Sequence, residues 1–407
     1  MGIIFLFALL ASLGLAFALS AVFHLLKLPR VVAQISAGII LGFPVVKALL
    51  FDGQSLMQLK LLADIGIILL FFFIGLETNV SVFTRHIKES ALVSIFNTSI
   101  PLLLGFAVSH YIFGLPALAS LVIGISLGVS SQSISLDFLE ELKLVKSRIG
   151  QLIISAGAVD DVFELLLVSG VVALIKAAST GAAMSSVITH ISLFVLNLIA
   201  IRYIVIPLLL RVTNEKSKHL LFMSALIVVL LTAGLAEWMG LDALVGALFG
   251  GILLRQTLLF GVKKPWEEHQ IAHAFHIVSF GFLVPIFFVW IGLNTSLSAL
   301  NLPLTAAFIA IAFAGTIIGT VIGTRLSGAS LKEGLLVGWG VNAKGDTELV
   351  IATLALQTGA ITLSIFSGLI VMALATTLIS PIVFRILISR HFGLRKALKK
   401  GAAKGRP

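Results

Sequence analysis

Long apolar runs constrain this chain more than any other feature of its sequence. Runs of about 18 residues or more, the length that crosses a bilayer as a helix, recur from Ile3 to the region of His391. Hydrophobic residues make up 59% of the chain and charged residues 11%. Backbone groups in a bilayer must be paired within their own segment, so runs of this length predict helices. We therefore expect an all-α polytopic integral membrane protein, with one membrane domain over residues 1–407.

Proline, glycine and charged clusters divide the apolar sequence into about thirteen predicted transmembrane helices. They span roughly residues 3–26, 31–50, 57–76, 88–113, 116–141, 147–177, 184–212, 219–238, 242–262, 275–295, 303–325, 332–358 and 362–390. Lysine and arginine concentrate in alternate connections and in the basic tail, residues 391–407. The positive-inside rule then predicts a cytoplasmic C-terminus and an external N-terminus. The formal net charge of +10 is thus a topology signal, and we expect no nucleic-acid partner.

The two halves of the sequence resemble each other. "FFIGLETNVS" (72–81) matches "VWIGLNTSLS" (289–298), "AGIIL" (37–41) matches "GGILL" (250–254), and "LGVSSQS" (127–133) matches "WGVNAKG" (339–345). The matches occur in the same order at similar offsets, as internal repeats require. We predict a first repeat over 1–177, a linker helix over 184–212 and a second repeat over 219–390. Six helices and one linker helix would make the repeats inverted.

Two predicted helices are interrupted by polar residues at equivalent places in the repeats. The helix over 116–141 contains "GVSSQS", and the helix over 332–358 contains "GWGVNAKGDTE". Unwound backbone within a bilayer is tolerated where it is buried in protein or lines a cavity, and its free carbonyls can then hold ions. The alternative is that serine and glycine only permit close helix packing, which does not explain Lys344, Asp346 and Glu348.

The stretch "SAGAVDDVFELLLV" places Asp160, Asp161 and Glu164 in an otherwise apolar helix. Charges at this depth cost about 2.5–3.5 kcal/mol each on insertion scales, so they are functional candidates by default. A carboxylate that holds either a proton or a cation, but not both, is suited to exchange. The alternative is a buried salt-bridge network that only fixes helix packing. We expect Lys344 to balance the carbonyl ends of the interrupted helices.

Other chemistries lack support in the sequence. The chain has no cysteine, which excludes thiolate catalysis and disulfides. It contains no nucleotide-binding P-loop and no metalloprotease or serine-hydrolase motif. We therefore expect neither an enzyme nor a cofactor beyond the transported ions.

These motifs closely resemble the monovalent cation:proton antiporter-2 family. The resemblance rests on "LPRVVAQISAGIILG", "LADIGIILLFFFIGLE", "SSQSISLDFLEELKLVKSRIGQLIISAGAVDDV", "GLDALVGALFGGILL", "FLVPIFFVWIGL" and "GWGVNAKGDTELVIA". It implies an inverted-repeat fold with crossed discontinuous helices, a dimerisation domain and a mobile core domain. It also implies a homodimer.

The resemblance assigns roles to individual residues. Asp161 would be the main shared site for cation and proton, and Asp160 its partner aspartate. The first broken helix would contribute Ser130 and Ser131, and the second the crossing from Asn342 to Gly345, with Lys344 in place of the family's arginine. Electrostatic support would come from Lys344, Glu348, Asp346 and Glu164, the last an unusual third acid.

One departure from the family concerns charge. Many relatives with paired aspartates carry a lysine in the helix before the second broken one, whereas the matching position here is Thr316 and no charge follows until Arg325. The stoichiometry of exchange is therefore open.

The sequence thus predicts a secondary active antiporter that exchanges Na⁺ or K⁺ for protons by alternating access, in a bacterial or archaeal inner membrane. Two alternatives remain: a sodium-coupled solute symporter of related fold and a non-transporting membrane sensor subunit. Sodium-driven solute uptake would favour the first, and cation binding without flux the second.

Overall fold

The computed structural model describes residues 3–26, 28–77, 87–145, 147–157, 159–160, 163, 167, 170, 184–212, 218–239, 241, 243–260, 273–345 and 347–404. All regular secondary structure in these ranges is helical, which confirms the predicted α class for the described part of the chain. The chain divides into two compact units. Unit 1 comprises Met1–Val80, Leu165–Ser298 and Thr353–Ala360, and unit 2 comprises Ser81–Glu164, Ala299–Ala352 and Ile361–Pro407.

Unit 1 contains two groups of helices. The first group is α1 (Ile3–Leu25), α2 (Arg30–Leu41), α3 (Pro44–Leu50) and α4 (Gly53–Glu77). The second is α9 (Met184–Ala200), α10 (Ile206–Val212), α11 (Lys218–Trp238), α12 (Ala243–Phe260), α13 (273–278) and α14 (Val284–Asn294). Single π-helical turns, Ile201–Val205 and Ser279–Leu283, join α9 to α10 and α13 to α14.

Unit 2 contains the interrupted helices. Its members are α5 (Ile87–Ala107), α6 (Ala117–Gly128), α7 (Gln132–Glu141), α8 (148–157), α15 (Leu302–Leu326), α16 (Leu331–Val341) and α18 (Leu363–Lys404). The helix α17 (Thr347–Gln357) contributes residues 347–352. An apolar cluster from α7, α8, α16 and α18 includes Phe138 and Phe384, whose ring centroids are 5.0 Å apart.

Eight helices in the described residues are long and apolar enough to cross a membrane, and a ninth results if α2 and α3 form one bent span. Three shorter apolar helices, Ala117–Gly128, Ala243–Thr257 and Thr347–Gln357, accompany them. The chain is therefore an integral membrane protein. The count of thirteen stays a prediction, because about half of the predicted span 147–177, including its whole C-terminal end from residue 171, lies outside the described residues.

The structure corrects two predicted spans. The span predicted over residues 31–50 is two helices, α2 and α3, bent by 84°. Pro44 opens α3, and the preceding Phe43 is non-helical (φ −56°, ψ 134°), as the residue before a proline tends to be. The last helix runs on to Lys404 rather than ending near residue 390. Its extension, "RKALKKGAAK", is rich in strong helix formers.

Two glycine pairs bring helices of unit 1 into backbone contact. A Cβ placed on Gly38 of α2 would lie 2.8 Å from Gly292 Cα of α14, which is closer than van der Waals contact permits. A Cβ on Gly75 of α4 would likewise lie 3.1 Å from Gly251 Cα of α12. These two contacts join α2 to α14 and α4 to α12.

In unit 2 a glycine brings α5 close to α15. A Cβ on Gly319 would lie 3.1 Å from the backbone nitrogen of Asn97. The close approach places the Asn97 side chain within reach of Thr320, the next residue of α15, whose hydroxyl donates to Asn97 Oδ1 at 3.3 Å.

Candidate ion-binding site

Both predicted interruptions are present, and they meet. The helix α6 ends at Gly128 and α7 begins at Gln132, while α16 ends at Val341 and α17 begins at Thr347. The Ser131 N–H donates to the Ala343 carbonyl at 2.8 Å, so the backbone of one break is bonded to that of the other. We call residues 129–131 and 342–345 the crossing.

Gly345 permits this close approach at the crossing. A Cβ at this position would lie 3.3 Å from the Ser131 hydroxyl oxygen and would press on the Ile134 side chain. A larger residue would therefore push the two breaks apart.

Lys344 is the positively charged side chain of the crossing, and it is 0% exposed. Its ammonium group donates to the Val129 carbonyl, just past the end of α6, where helix carbonyls lack partners. Its own carbonyl accepts a hydrogen bond from the Thr377 hydroxyl of α18. Because the C-terminal end of a helix carries partial negative charge, the ammonium group offsets the charge that the break exposes.

Asp160 lies beside the crossing, is 2% exposed and is held by four donors. Its Oδ1 accepts from the hydroxyls of Ser94, at 2.9 Å, and Thr98. Its Oδ2 accepts from Ser130 Oγ at 2.6 Å and Asn97 Nδ2 at 2.9 Å. An ionised carboxylate accepts about four hydrogen bonds, so this arrangement saturates both oxygens of Asp160. The hydroxyl donors keep lone pairs that can face a cation.

Three of these donors, Ser94, Asn97 and Thr98 of α5, did not figure among the predicted site residues. A signal for them exists in the sequence "SIFNTS", because positions i, i+3 and i+4 share one face of a helix. That face is polar within an otherwise apolar span. The pattern predicts a polar contact, but not which carboxylate would receive it.

The other predicted residues fall into two groups. The described ones are Ser130, Ser131, Asn342 and Lys344 at the crossing, and Glu348 in the first turn of α17, where it is 1% exposed. Asp161, Glu164 and Asp346 lie outside the described residues. The Asn342 side chain is fully buried, and its Nδ2 donates to the Phe313 carbonyl of α15 at 3.3 Å.

Thr316, at the position matched to the family's lysine, is on α15 and is 0% exposed. One turn later Thr320 reaches Asn97, which in turn donates to Asp160. The link from α15 to Asp160 therefore runs through neutral groups. Asp160 also interacts electrostatically with Lys344 of the crossing.

Metal-ligating residues do not cluster elsewhere in the part of the chain that the structure describes. No group of three or more histidine, aspartate or glutamate side chains there could hold a metal ion.

Known proteins resemble this chain over nearly its whole length. A Na⁺/H⁺ antiporter, NhaS4, from Synechocystis is 28% identical over 402 residues, covering 93% of this chain and 96% of its own. The K⁺/H⁺ antiporter 1 of Saccharomyces cerevisiae is 25% identical and covers 93% of this chain, which corresponds to 46% of that longer protein.

A solved structure shares the fold. The sodium proton antiporter MjNhaP1 from Methanocaldococcus jannaschii superposes with a TM-score of 0.67 at 17% identity, covering 91% of this chain and 93% of its own. The profile of the family described as "Sodium/hydrogen exchanger, transmembrane" matches residues 8–390. With a match over that much of the 407 residues, the chain belongs to the sodium/hydrogen exchanger family of transmembrane proteins.

Proposed function

We propose that this protein exchanges Na⁺ or K⁺ for protons across a membrane by alternating access. The observation that carries the proposal is the buried Asp160 carboxylate, held by four uncharged donors beside two broken helices. A buried carboxylate in such a place within a membrane protein marks a functional site by default. Membership of the exchanger family and the antiporters among its relatives support the same reaction.

Asp161 binds the cation and the proton in turn, and Asp160 supports it through its charge. Both oxygens of Asp160 already accept two hydrogen bonds each, which favours charge coupling over direct ligation by this residue. Ser130, Ser131 and Asn342 contribute uncharged oxygens to the ion.

The partial charges at the ends of the broken helices are balanced by Lys344 and by acidic side chains. Lys344 neutralises the carbonyl end of α6 through its bond to Val129. Glu348, in the first turn of α17, is placed where the positive end of a helix favours a carboxylate. We assign Asp346 and Glu164 the same supporting role.

An inverted repeat underlies this arrangement. The sequence repeat pairs Gly38 with Gly251 and Gly75 with Gly292. The observed contacts join Gly38 to Gly292 and Gly75 to Gly251, which is the reciprocal pattern that a two-fold relation between repeats produces. The repeats comprise residues 1–177 and 219–390, with 184–212 as linker, and unit 2 holds the site.

The protein works as a homodimer in a bacterial or archaeal inner membrane, with the C-terminus in the cytoplasm. The excess of lysine and arginine at alternate connections supports this orientation.

Ion flux in proteoliposomes tests the proposal. Wild type and Asp161→Asn are reconstituted side by side, and Na⁺, K⁺ or Li⁺ is added to vesicles that hold an imposed proton gradient. We expect at least one cation to dissipate the gradient in the wild type and none in the variant. The matched control is Asp52→Asn, the same chemical change at an exposed residue between α3 and α4.

The result separates the alternatives. Dissipation by Asp161→Asn at the wild-type rate would overturn the role of Asp161. A wild type that moves no protons with any cation would overturn the exchange reaction. Uptake of an organic solute under a sodium gradient would then favour the symporter, and cation binding without flux would favour the sensor subunit.

A further inference from the structure

Several buried side-chain oxygens of unit 2 lack a hydrogen-bond partner among the described residues, and three of them lie on or near the crossing. They are Thr316 Oγ1 of α15, Asn342 Oδ1 of the crossing and Ser380 Oγ of α18, and all three residues are 0% exposed. Buried polar groups are nearly always paired, and hydroxyls on helices usually bond to their own backbone. Thr324 of α15 does so, donating to the Thr320 carbonyl at 2.8 Å.

The packing of α16 on α15 brings two of these oxygens to within about one helical turn of each other along the helices. A Cβ on Gly338 would lie 3.3 Å from Ile317 Cα, and one turn further on Asn342 Nδ2 donates to the Phe313 carbonyl at 3.3 Å. The helices α15 and α16 therefore run antiparallel here: a step of four residues forward along α16 corresponds to a step of four residues back along α15. Thr316 is three residues after Phe313 on the same helix face, so in this register it lies opposite Trp339, about one turn of α16 before Asn342.

The packing of α18 brings the third oxygen there. Thr377 donates to the Lys344 carbonyl, and the Phe384 ring lies 3.4 Å from where a Cβ of Gly340 would be. Ser380 lies between these two contacts on the same side of α18. It therefore faces the middle of the segment from Gly340 to Lys344, where the asparagine of the crossing is found.

We propose that Thr316, Asn342 and Ser380 form an uncharged oxygen subsite for the transported cation, next to the carboxylates. The inference rests on the proposed exchange reaction. Asn342 Oδ1 can only accept, because its amide nitrogen is the atom that bonds to Phe313. Hydroxyl and carbonyl oxygens are the ligands that replace the hydration shell of Na⁺ or K⁺. These neutral oxygens replace part of the hydration shell of the cation beside the acidic side chains.

Two substitutions remove single oxygens with little change of shape, Thr316→Val and Ser380→Ala. The matched controls are Thr324→Val and Ser389→Ala, whose hydroxyls bond to carbonyls of their own helices. Two measurements are made on each protein. The first is the half-saturating concentration of Na⁺ and K⁺ for proton flux in proteoliposomes. The second is the rise in melting temperature with added NaCl or KCl in detergent, with choline chloride as the salt control.

We expect each site variant to raise the half-saturating concentration of the preferred cation about tenfold, because one ion–oxygen contact is lost. The rise should differ between Na⁺ and K⁺, since the two ions depend differently on ligand number. The cation-dependent stabilisation should weaken in parallel. The controls should behave like the wild type.

Unchanged cation dependence in both site variants overturns the subsite, while exchange by the wild type would leave the proposed function intact. If the wild type moves no protons, the melting-temperature series still decides the subsite on its own. If Thr316→Val does not fold, Ser380→Ala decides it alone.

Discussion

Asn97 offers the sharpest test of the Asp160 environment. Its amide nitrogen donates to Asp160 Oδ2 at 2.9 Å and, at 3.5 Å, to Ser130 Oγ, and its Oδ1 accepts from Thr320 at 3.3 Å. Replacement by leucine, which has nearly the same size, removes all three contacts and leaves little cavity. A hydrogen bond to a charged group is worth about 1.5–3 kcal/mol, whereas Thr320 can bond to its own helix backbone instead. We expect Asn97→Leu to lower the free energy of unfolding by about 2 kcal/mol.

The assay is equilibrium unfolding in mixed detergent micelles, followed by tryptophan fluorescence. The control is Asn197→Leu, because Asn197 is half-buried and donates to the Leu193 carbonyl of its own helix rather than to Asp160. That substitution should change the free energy of unfolding by less than about 0.5 kcal/mol. Proton flux should fall in Asn97→Leu but not in Asn197→Leu, because only the first substitution removes a contact that positions Asp160.

A double-mutant cycle identifies the partner of Asn97. In an Asp160→Ala background the charged acceptor is absent, and Asn97→Leu should then cost little. The coupling energy between the two positions should be about 1.5–3 kcal/mol. An equal cost of Asn97→Leu in both backgrounds would refute the reasoning, since it would mean that the hydrogen bond to Asp160 is not what stabilises the fold.

The remaining predictions concern packing and pH. Gly38→Ala forces a Cβ to within 2.8 Å of Gly292 Cα, and we expect a loss of about 1–3 kcal/mol from overpacking. Gly14→Ala, with nothing within 4 Å, should not destabilise the protein, and equal melting temperatures of the two variants would contradict the close contact. Hydrogen bonding from Ser55, through its side chain and then its backbone N–H, lowers the pKa of Asp52. A lowered pKa adds stability above the unfolded value that is lost as the pH falls, so wild type should exceed Asp52→Asn in melting temperature at pH 7 and converge with it below about pH 4. A constant difference from pH 3 to 7 would contradict this.

The sequence predicted the helical membrane fold and the two breaks because both depend on local composition. An apolar run long enough to span a bilayer has few alternatives to a helix. Runs such as "GVSSQS" and "GVNAKG" combine weak helix formers with polar side chains, and the structure interrupts its helices there.

The donors to Asp160 were harder to predict, for a physical reason. Serine and threonine in apolar helices usually bond to their own backbone, as Ser12 does to the Ala8 carbonyl and Thr232 to the Val228 carbonyl. The sequence does not distinguish these hydroxyls from those of Ser94 and Thr98, which instead reach Asp160. Only the packing of α5 decides which carbonyl or carboxylate accepts the hydrogen bond from each hydroxyl.

The bend between α2 and α3 escaped prediction for a related reason. A proline within an apolar run is compatible with a kinked single helix and with the first turn of a new one. Residues 31–50 have the length of one span in either case. The non-helical conformation at Phe43 is what separates the two helices.

The bond from the Ser131 N–H to the Ala343 carbonyl joins atoms that every residue type carries except, at the nitrogen, proline. In a saturation mutagenesis screen for salt tolerance, small side chains at position 131 should therefore preserve this link. Proline at position 131 has no hydrogen on its backbone nitrogen and therefore breaks the link. Growth at high salt should separate Ser131→Pro from Ser131→Ala more sharply than any comparison of side-chain size or polarity at that position.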